Sequence, residues 1–352
     1  MPRISSSRSI AAGCLFVLLL ISGNACGDDK TLKIFTWSDY IDPDIVSVFE
    51  QRHKVKIQFS YFEDNDARDA ALVNTNGVGY DLLLLNGIQV AQYHKLGWIS
   101  PISKKDVPNI ATIDKKWRSA FADTEKYAIP YFWGTLGIAY RSDLVSEKIT
   151  SWRQLFNPAA SLKGKIVLPA SMRDVIGMAL KSLGYSANSA DPQQLLEAEQ
   201  LLKTQKPFIS RYGYIAINEQ SSLLSGENHM AMVYSGDALV LQQHNKQIAY
   251  ALPQEGSNLW VDYFAVSSTS DKRSLALAFL NYLNEPEVAA SNAQFVRFAT
   301  PNHKAEKLLP VSFLKNPIIY PPEKELHKSE FYRPLPVDAT RTCNRVMADL
   351  IR

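Results

Sequence analysis

The chain has 352 residues, of which 46% are hydrophobic and 21% are charged. This composition is typical of a globular protein and excludes a disordered one, and the length favours two lobes over one hydrophobic core. The net charge of +3 falls to +1 if Arg3 and Arg8 are removed with a signal peptide. The remaining Lys and Arg residues are scattered along the chain, which argues against a nucleic-acid partner.

The N-terminal residues have the order of a secretory signal peptide. Arg3 and Arg8 precede the apolar run "IAAGCLFVLLLI", and the small residues of "SGNAC" follow it. Because the run is shorter than the roughly 20 residues of a membrane-spanning helix, we predict a signal peptide over 1-25 and an exported protein. Cys26 leaves two alternatives open. Either it carries a lipid, which would be the protein's attachment to the membrane, or the chain is simply cleaved beside it.

The first half of the exported chain alternates predicted strands and helices. "LKIFTW" is typical of a strand, and Asp42 as N-cap followed by Pro43 begins the helix "DPDIVSVFEQRHK". "VKIQFSY" is a second strand, "DNDARDAALVNT" a second helix, and "YDLLLL" a strand as uniformly apolar as those buried on both faces. This alternation predicts an α/β fold in which helices connect the strands of a sheet.

The alternation resumes after "IPYFWGTLGIAYR". The strand "KIVLP" precedes the helix "SMRDVIGMALKSLG", and "HMAMVYSGDALVLQQH" reads as a strand, a turn at Ser235 and Gly236, and a helix. "LWVDYFAV" is a further strand, followed by the helical pattern "DKRSLALAFLNYLNEPE". The tail from Pro301 is richer in proline, and we expect it to pack across the surface.

Motifs of catalysis and metal binding are missing from the sequence. The six histidines lie far apart, and none has the spacing of a zinc site. There is no GxSxG nucleophile elbow, no P-loop and no GxGxxG after a strand. We therefore predict that the protein is not an enzyme and that it uses no metal or other cofactor.

Acidic residues stand beside aromatic residues at four places near predicted strand ends, which is where open α/β sheets bind ligands. An alternative is that the acids complement helix N-termini while the rings belong to the core. The four groups are Trp37, Ser38, Asp39 and Tyr40 after the first strand; Asp174 after "KIVLP"; Tyr234 and Asp237 around "YSGDA"; and Trp260 with Asp262 inside "LWVDYFAV".

Asp262 is the most informative of these acids. It lies in the middle of an apolar strand, on the same face as Trp260, and burying an unpaired carboxylate is expensive. Its partner is either an internal Lys or Arg or the ammonium group of a ligand, to which Trp260 would offer its aromatic face. Several acids and rings together suit a diamine or a larger polyamine, with ammonium groups on carboxylates and methylenes between rings.

Several motifs resemble one known family when they are taken together. "FTWSDYIDP", "YDLLLLNG", "IPYFWGTLGIAY", "SMRDVIGMALKSLGYS", "MVYSGDA", "WVDYFAV" and "ATPN" occur in the order found in the periplasmic spermidine/putrescine-binding proteins of polyamine ABC importers. The resemblance covers nearly the whole exported chain. It implies a two-lobed type II periplasmic binding protein fold, the Venus flytrap, with crossover connections near Tyr140 and Trp260. We expect lobe 1 over 30-139 plus 262-302 and lobe 2 over 140-261 plus 303-352.

The resemblance also implies a set of polyamine-binding residues. Asn86 stands where the family commonly has Ser, Ile88 where spermidine-preferring members often have Tyr, and Ser171 where those members tend to have another acid. Asp237 matches the putrescine-preferring pattern, so we expect putrescine to be favoured over spermidine. The residues expected to bind the ligand are Trp37, Ser38, Asp39, Tyr40, Asn86, Asp174, Tyr234, Asp237, Trp260, Asp262 and Phe298.

The implied partners are a polyamine and the permease of an ABC importer, in the periplasm. The protein is expected to be a monomer. Two alternatives stay open: a protein that reports polyamine to a membrane receptor, and a hydrolase of an amine conjugate on the same fold. The binding site of a sensor would look the same, whereas a hydrolase would release a detectable product.

Overall fold

The computed structural model describes residues 30–352. The predicted signal peptide over 1-25 and the two alternatives for Cys26 lie outside the described residues. Thr31–Arg352 is one compact unit. Within residues 30–352, we find no helix with the length and apolar character needed to cross a membrane.

Nine strands form one mixed sheet in the described chain. Their bounds are β1 (Thr31–Thr36), β2 (Lys56–Tyr61), β3 (Leu82–Asn86), β4 (Ile129–Arg141), β5 (Ile166–Leu168), β6 (Ile209–Tyr212), β7 (Met230–Tyr234), β8 (Ile248–Ala251) and β9 (Leu259–Val266). Every strand predicted above is present. The order across the sheet is β2-β1-β3-β9-β4-β7-β5-β6, and β8 pairs with β4.

Helices connect most of these strands. The α-helices are α1 (Pro43–His53), α2 (Asn65–Asn74), α3 (Gly87–Lys95), α4 (Lys115–Arg118), α5 (Thr124–Tyr127), α6 (Trp152–Phe156), α7 (Met172–Ser182), α8 (Pro192–Gln205), α9 (Ser222–Ser225), α10 (Ser235–His244), α11 (Arg273–Leu283), α12 (Pro286–Val296), α13 (His303–Glu306), α14 (Val311–Leu314), α15 (Glu323–Leu326) and α16 (Val337–Ile351). Short 3-10 helices cover Pro108–Thr112, Ala160–Leu162 and Lys206–Phe208.

Helix starts agree with the sequence at α1 and differ at α10. Asp42 accepts a hydrogen bond from the backbone N–H of Asp44, as its predicted N-cap role requires. The turn predicted at Ser235 and Gly236 is wrong, because both residues already belong to the first turn of α10. The helix therefore follows β7 directly and brings its N-terminus to the end of that strand.

The long strand β4 joins two hydrophobic cores. Its first half pairs antiparallel with β9, from Ile129 opposite Phe264 to Thr135 opposite Leu259. Its second half pairs with β7, beginning with Leu136 opposite Tyr234. The first core is built from the β1 to β3 region, the first half of β4, β9, α11 and α12. The second is built from the other half of β4, α6, α7, α8 and α16.

The C-terminal tail differs from the expected surface packing. The residue run 328–333, which we call the C-terminal strap, joins the segment before β9, because Glu330 donates to the carbonyl of Ser257 and accepts from the N–H of Leu259. The helix α16 then buries Cys343, Val346 and Met347 in the second core. The earlier part of the tail packs elsewhere, because the first core contains Ala305, Leu309 and Ile319. The lobe boundaries stay a prediction.

Candidate functional site

The predicted ligand-binding residues lie where strands end and helices begin. Trp37 and Tyr40 follow β1, Tyr234 ends β7, and Asp174 lies in the first turn of α7, which follows β5. These three strands all belong to parallel pairs. β1 and β3 run opposite to β5 and β7, because the pairs β3 with β9, β9 with β4 and β4 with β7 are all antiparallel. The first half of β4 pairs with β9 and its second half with β7, so the carboxyl ends of β1 and β3 face those of β5 and β7 across the middle of β4. Ligands of such sheets bind outside the carboxyl ends of the strands.

Asp262 enters the same region from β9, where it lies opposite Asn86 at the end of β3. The hydroxyl of Tyr40 donates a hydrogen bond to Oδ2 of Asp262 at 3.0 Å. Burial raises the pKa of Asp262 to about 6, although the hydrogen bond from Tyr40 and the charge of Arg68 act in the opposite direction. The carboxylate is therefore held by a neutral donor, and its charged form is costly without a cation beside it.

Arg68 is the internal cation that could have neutralised Asp262, and it is bound elsewhere. Its guanidinium donates to Asp69 at 2.7 Å and 2.9 Å and to Asn65 at 2.8 Å, while the side chain is almost fully buried. No ion pair among residues 30–352 involves Asp262.

Asp174 is held by two tyrosine hydroxyls. Tyr234 donates to Oδ2 and Tyr332 donates to Oδ1, each at 3.0 Å, and Ser171 caps the helix by accepting from the Asp174 N–H at 3.3 Å. Burial raises the pKa of Asp174, while hydrogen bonds from Ser171, Tyr234 and Tyr332 oppose the shift. The neighbouring Arg173 lies over the Tyr332 ring and donates to Asn188 at 2.7 Å.

Asp237 lies in the first turn of α10 and accepts a hydrogen bond from the hydroxyl of Tyr214. Burial raises the pKa of Asp237 to about 6 against that hydrogen bond. Burial, followed by the charges of Asp174, Asp262 and Asp237, also raises the pKa of Tyr234 well above its ordinary value. The charges of three carboxylates therefore act on the hydroxyl of one tyrosine.

Aromatic rings form a continuous row between these carboxylates. The ring centroids of Tyr40 and Phe298 are 6.0 Å apart, those of Phe298 and Trp260 are 4.8 Å apart, and the same separation is 6.0 Å for Trp260 and Tyr234. Tyr214 extends the row, 6.0 Å beyond Tyr234. All of these contacts have the edge-on or stacked geometry that aromatic pairs prefer.

Two glycines make room for this row. A Cβ on Gly134 would lie 2.6 Å from Trp260, and a Cβ on Gly236 would lie 2.5 Å from Phe298. Neither glycine has a left-handed backbone, so space alone explains them. The residues Gly134 and Gly236 thus allow backbone to approach the rings at both ends of the Trp260 and Phe298 pair.

The remaining predicted residues are placed differently. Asp39 is exposed, has a left-handed backbone with a φ of 53°, and accepts from the Ser38 hydroxyl at 2.9 Å. The side-chain oxygen of Asn86 caps α3 by accepting from the N–H groups of Ile88 and Gln89. Trp37 packs edge-on against Phe62, with ring centroids 4.2 Å apart, and a hydrogen bond from its side chain also acts against the raised pKa of Asp262. Among Trp37, Ser38, Asp39 and Asn86, it is Asn86 whose side-chain oxygen is used to cap a helix.

Tyr214 and Tyr332 were missed by the sequence analysis. Tyr214 follows β6 after a glycine in "RYGY", so an aromatic residue at a strand end was the signal available for it. Tyr332 lies in the C-terminal strap, 158 residues after Asp174, and the acid nearest to it in sequence, Glu330, does not follow a predicted strand. Its role arises only because the strap returns to the sheet.

The arrangement is suited to holding an organic cation. A nearby ammonium group stabilises the charged form of a carboxyl group whose pKa is raised. The aromatic rings attract the cation and contact the methylene groups of the ligand. In the described chain, no cluster of three or more His, Cys, Asp or Glu side chains could hold a metal ion.

Comparisons with known proteins give the same fold. The spermidine/putrescine-binding periplasmic protein of Escherichia coli (strain K12) is 30% identical over 328 residues, 93% of this chain and 92% of that protein. The norspermidine sensor of Vibrio cholerae is 29% identical over 315 residues, 88% of this chain and 86% of the sensor. The solved structure of the PotD substrate-binding protein from Streptococcus pneumoniae has a TM-score of 0.79 and 30% identity, covering 91% of this chain and 98% of that one.

The fold predicted from the sequence, a two-lobed α/β periplasmic binding protein, is confirmed by these relatives. A family model described as bacterial extracellular solute-binding protein matches residues 44–320, which is most of the chain. The chain belongs to the family of bacterial extracellular solute-binding proteins.

Proposed function

We propose that this protein captures a polyamine in the periplasm and delivers it to the permease of an ABC importer. The observation that carries the proposal is the group of three carboxylates, Asp174, Asp237 and Asp262, each hydrogen-bonded to tyrosine hydroxyls and joined by a row of rings. None of the three forms an ion pair within residues 30–352. A polyamine supplies the missing cations.

The hydrogen bonds support putrescine over spermidine as the ligand. Tyrosines occupy both oxygens of Asp174, whereas Asp237 and Asp262 each accept one tyrosine hydroxyl. An ionised carboxylate accepts about four hydrogen bonds, so Asp237 and Asp262 keep the larger capacity for an ammonium group. Two such carboxylates match the two charges of a diamine. Asp39, which is exposed, is a third candidate partner for an ammonium group.

We further propose that the ligand holds two lobes together. The lobes are 30-139 plus 262-302 and 140-261 plus 303-352, with β4 and β9 as the crossovers. Asp262 and Phe298 would contribute from the first lobe, and Asp174, Tyr234, Asp237 and Trp260 from the second. A ligand that touches both lobes favours the closed arrangement only by the difference between its affinities for the closed and open states.

Export and partners complete the proposal. The names of the relatives place those proteins in the periplasm, which supports export of this chain through the predicted signal peptide. We propose a monomer that meets its permease at the membrane, with Cys26 as the point of attachment if it is lipidated. Mass spectrometry of the protein purified from cells would distinguish a lipid on Cys26 from simple cleavage.

Isothermal titration of the purified protein tests the proposal. We expect putrescine to bind with a dissociation constant in the micromolar range or below, and spermidine to bind more weakly. Cadaverine and spermine serve as tests of length, because they change the separation and the number of ammonium groups. The absence of binding by all four amines at millimolar concentration would contradict the proposed ligand class.

A sensor is the second candidate function. One relative of similar identity is named as a norspermidine sensor, and the cleft of a sensor would use the same chemistry. Purification of the protein with its membrane partner from cells distinguishes the two roles. A co-purified permease supports import, and a co-purified receptor supports sensing.

A further inference from the structure

A surface groove runs between α10 and α12, and none of its lining residues is a predicted ligand-binding residue. It encloses about 340 Å³. Gln242, Gln243 and Lys246 line it from α10 and the residues just after it, Gln294 and Arg297 line it from α12 and its end, and Phe313 lines it from α14. In the proposed division of the chain, α10 belongs to the second lobe and α12 to the first. The part of the groove where α10 faces α12 is therefore a stretch of the proposed boundary between the lobes.

Arg297 crosses this groove. Its Nη1 donates to the carbonyl of Phe295 at 3.1 Å, in the last turn of α12, and its Nη2 donates to Oε1 of Gln243 at 3.1 Å, on α10. One nitrogen of the rigid guanidinium fork is thus anchored on its own helix, and the other reaches the opposite helix. The bond connects two segments 54 residues apart in sequence.

The backbone of Arg297 is in a conformation that favours glycine. Its φ is 63°, in the left-handed region, where it ends α12 with an N–H bond to the carbonyl of Ala293. A non-glycine residue is strained there, and helices commonly place Gly at such an end. A long charged side chain at a position suited to glycine suggests that the side chain itself is used.

Phe298, the residue after Arg297, contacts the predicted ligand site. Phe298 is buried and contacts Trp260 edge-on, and it lies so close to Gly236 at the start of α10 that a Cβ there would be 2.5 Å from its ring. Arg297 and Phe298 therefore contact opposite ends of one helix, Phe298 its first turn and Arg297 its last. A displacement of the whole of α10 away from Arg297 and Phe298 would break both contacts.

We propose that the hydrogen bond between Arg297 and Gln243 is a latch that stabilises the closed arrangement of the lobes without touching the ligand. The inference rests on the proposed function, because it assumes that polyamine binding closes the lobes. Arg297 is a positioning residue, since it acts through α10 and Phe298. A contact made only in the closed state slows opening, so it lowers the dissociation rate of the ligand and leaves the association rate nearly unchanged.

The substitution Gln243→Ala tests the latch, because it removes the acceptor and places a good helix former in α10. We expect the dissociation rate of putrescine to rise about fivefold, as for the loss of one exposed hydrogen bond to a charged group, with little change in the association rate. Arg297→Gly removes the donor and relieves the left-handed strain, so the folded state should not lose stability. The double substitution should raise the dissociation rate of putrescine no more than either single substitution, because the two residues form one hydrogen bond.

Gln242→Ala is the matched control. Gln242 precedes Gln243 on α10 and lines the same groove, but it forms no side-chain hydrogen bond to α12 in the part of the chain that the structure describes. We expect its putrescine dissociation rate to equal that of the unmodified protein. Dissociation rates that are unchanged in Gln243→Ala, or equally raised in Gln242→Ala, would overturn the latch.

Small-angle X-ray scattering of the ligand-free protein separates this inference from the proposed function. A latch lowers the free energy of the closed arrangement whether or not a ligand is bound. It therefore predicts a larger radius of gyration for Gln243→Ala than for Gln242→Ala even if the unmodified protein binds no polyamine and the proposed function fails. Equal radii in the two ligand-free variants, together with equal dissociation rates where binding occurs, would reject the latch itself.

Discussion

The hydroxyl of Tyr40 donates to the carboxylate of Asp262 at 3.0 Å, although the two residues are 222 positions apart in sequence. Tyr40 follows β1 and Asp262 lies in β9, two strands that are each paired with β3. The bond fixes the orientation of the carboxylate and leaves it without a formal counter-charge. An ammonium group is the simplest partner that would supply one.

Asp262→Asn should weaken putrescine binding by about 1.5 to 3 kcal/mol, or roughly ten- to hundredfold, because a charged acceptor becomes neutral. Tyr40→Phe is the matched control, since it removes the hydroxyl and keeps both the ring and the carboxylate. We expect that control to lose less affinity. Calorimetric titration measures both variants, and an unchanged affinity in Asp262→Asn would mean that this carboxylate does not face the ligand.

Asp174 and Asp237 should respond differently to the same substitution. Asp237→Asn removes a carboxylate with spare acceptor capacity, so it should reduce putrescine affinity about as much as Asp262→Asn. Asp174→Asn changes a group whose two oxygens already accept from Tyr234 and Tyr332, so its effect on affinity should be smaller. Equal losses in the two variants would show three ammonium partners and would argue for a longer polyamine.

Putrescine affinity should fall as the pH is lowered through about 6. Burial raises the pKa values of Asp237 and Asp262 to about 6, while the amines stay protonated, so below pH 6 the ligand must displace protons. Linkage then weakens binding by up to about tenfold per pH unit for each carboxylate. Titrations between pH 5 and 7.5 measure the trend, and the variant Asp237→Asn should show a shallower one.

The stability of the ligand-free protein should have the opposite pH dependence over that range. A carboxyl group whose pKa is higher in the folded state than in the unfolded state stabilises the fold when it is protonated, and this contribution is lost as the pH rises through about 6. The contribution of Asp237 and Asp262 to the free energy of unfolding should therefore increase as the pH is lowered from 7 to 5. Urea unfolding at fixed pH values tests the sign, and a decrease over this window would contradict it.

The C-terminal strap should contribute measurably to stability through Lys181. Lys181 Nζ pairs with Glu330 at 2.9 Å, and its side chain is only 8% exposed. Lys181→Ala breaks a mostly buried ion pair and should reduce the free energy of unfolding by about 3 kcal/mol. Lys203→Ala is the control, because that lysine is 60% exposed and its buried partner Glu199 keeps a second ion pair with Arg345 at 2.7 Å. We expect it to reduce the free energy of unfolding by about 1 kcal/mol or less. Similar losses in both variants would mean that the strap is not held by this pair.

The elements of the sheet could be predicted because their signals are local. The apolar run before Asn86 and the capping pair Asp42 and Pro43 depend on residues within one turn or one strand, so the sequence contains them directly. The start of α10 could not be predicted from Ser235 and Gly236. Both residue types are common in turns, and only the structure shows that the helix begins at Ser235 and that Gly236 leaves room for the Phe298 ring.

By itself, the sequence of this protein determined an α/β chain with acids and rings at its strand ends, and a likeness to one family of binding proteins. Periodicity and short motifs suffice for that, because they express the local geometry of strands and helices. Only the tertiary structure decided which groups meet: Tyr214 with Asp237, Tyr332 with Asp174, and Arg68 with Asp69 instead of Asp262. The two tyrosine contacts join segments that are distant in the chain, so no local pattern encodes them. Arg68 and Asp69 are neighbours in sequence, but no local pattern shows that Arg68 binds Asp69 and leaves Asp262 unpaired.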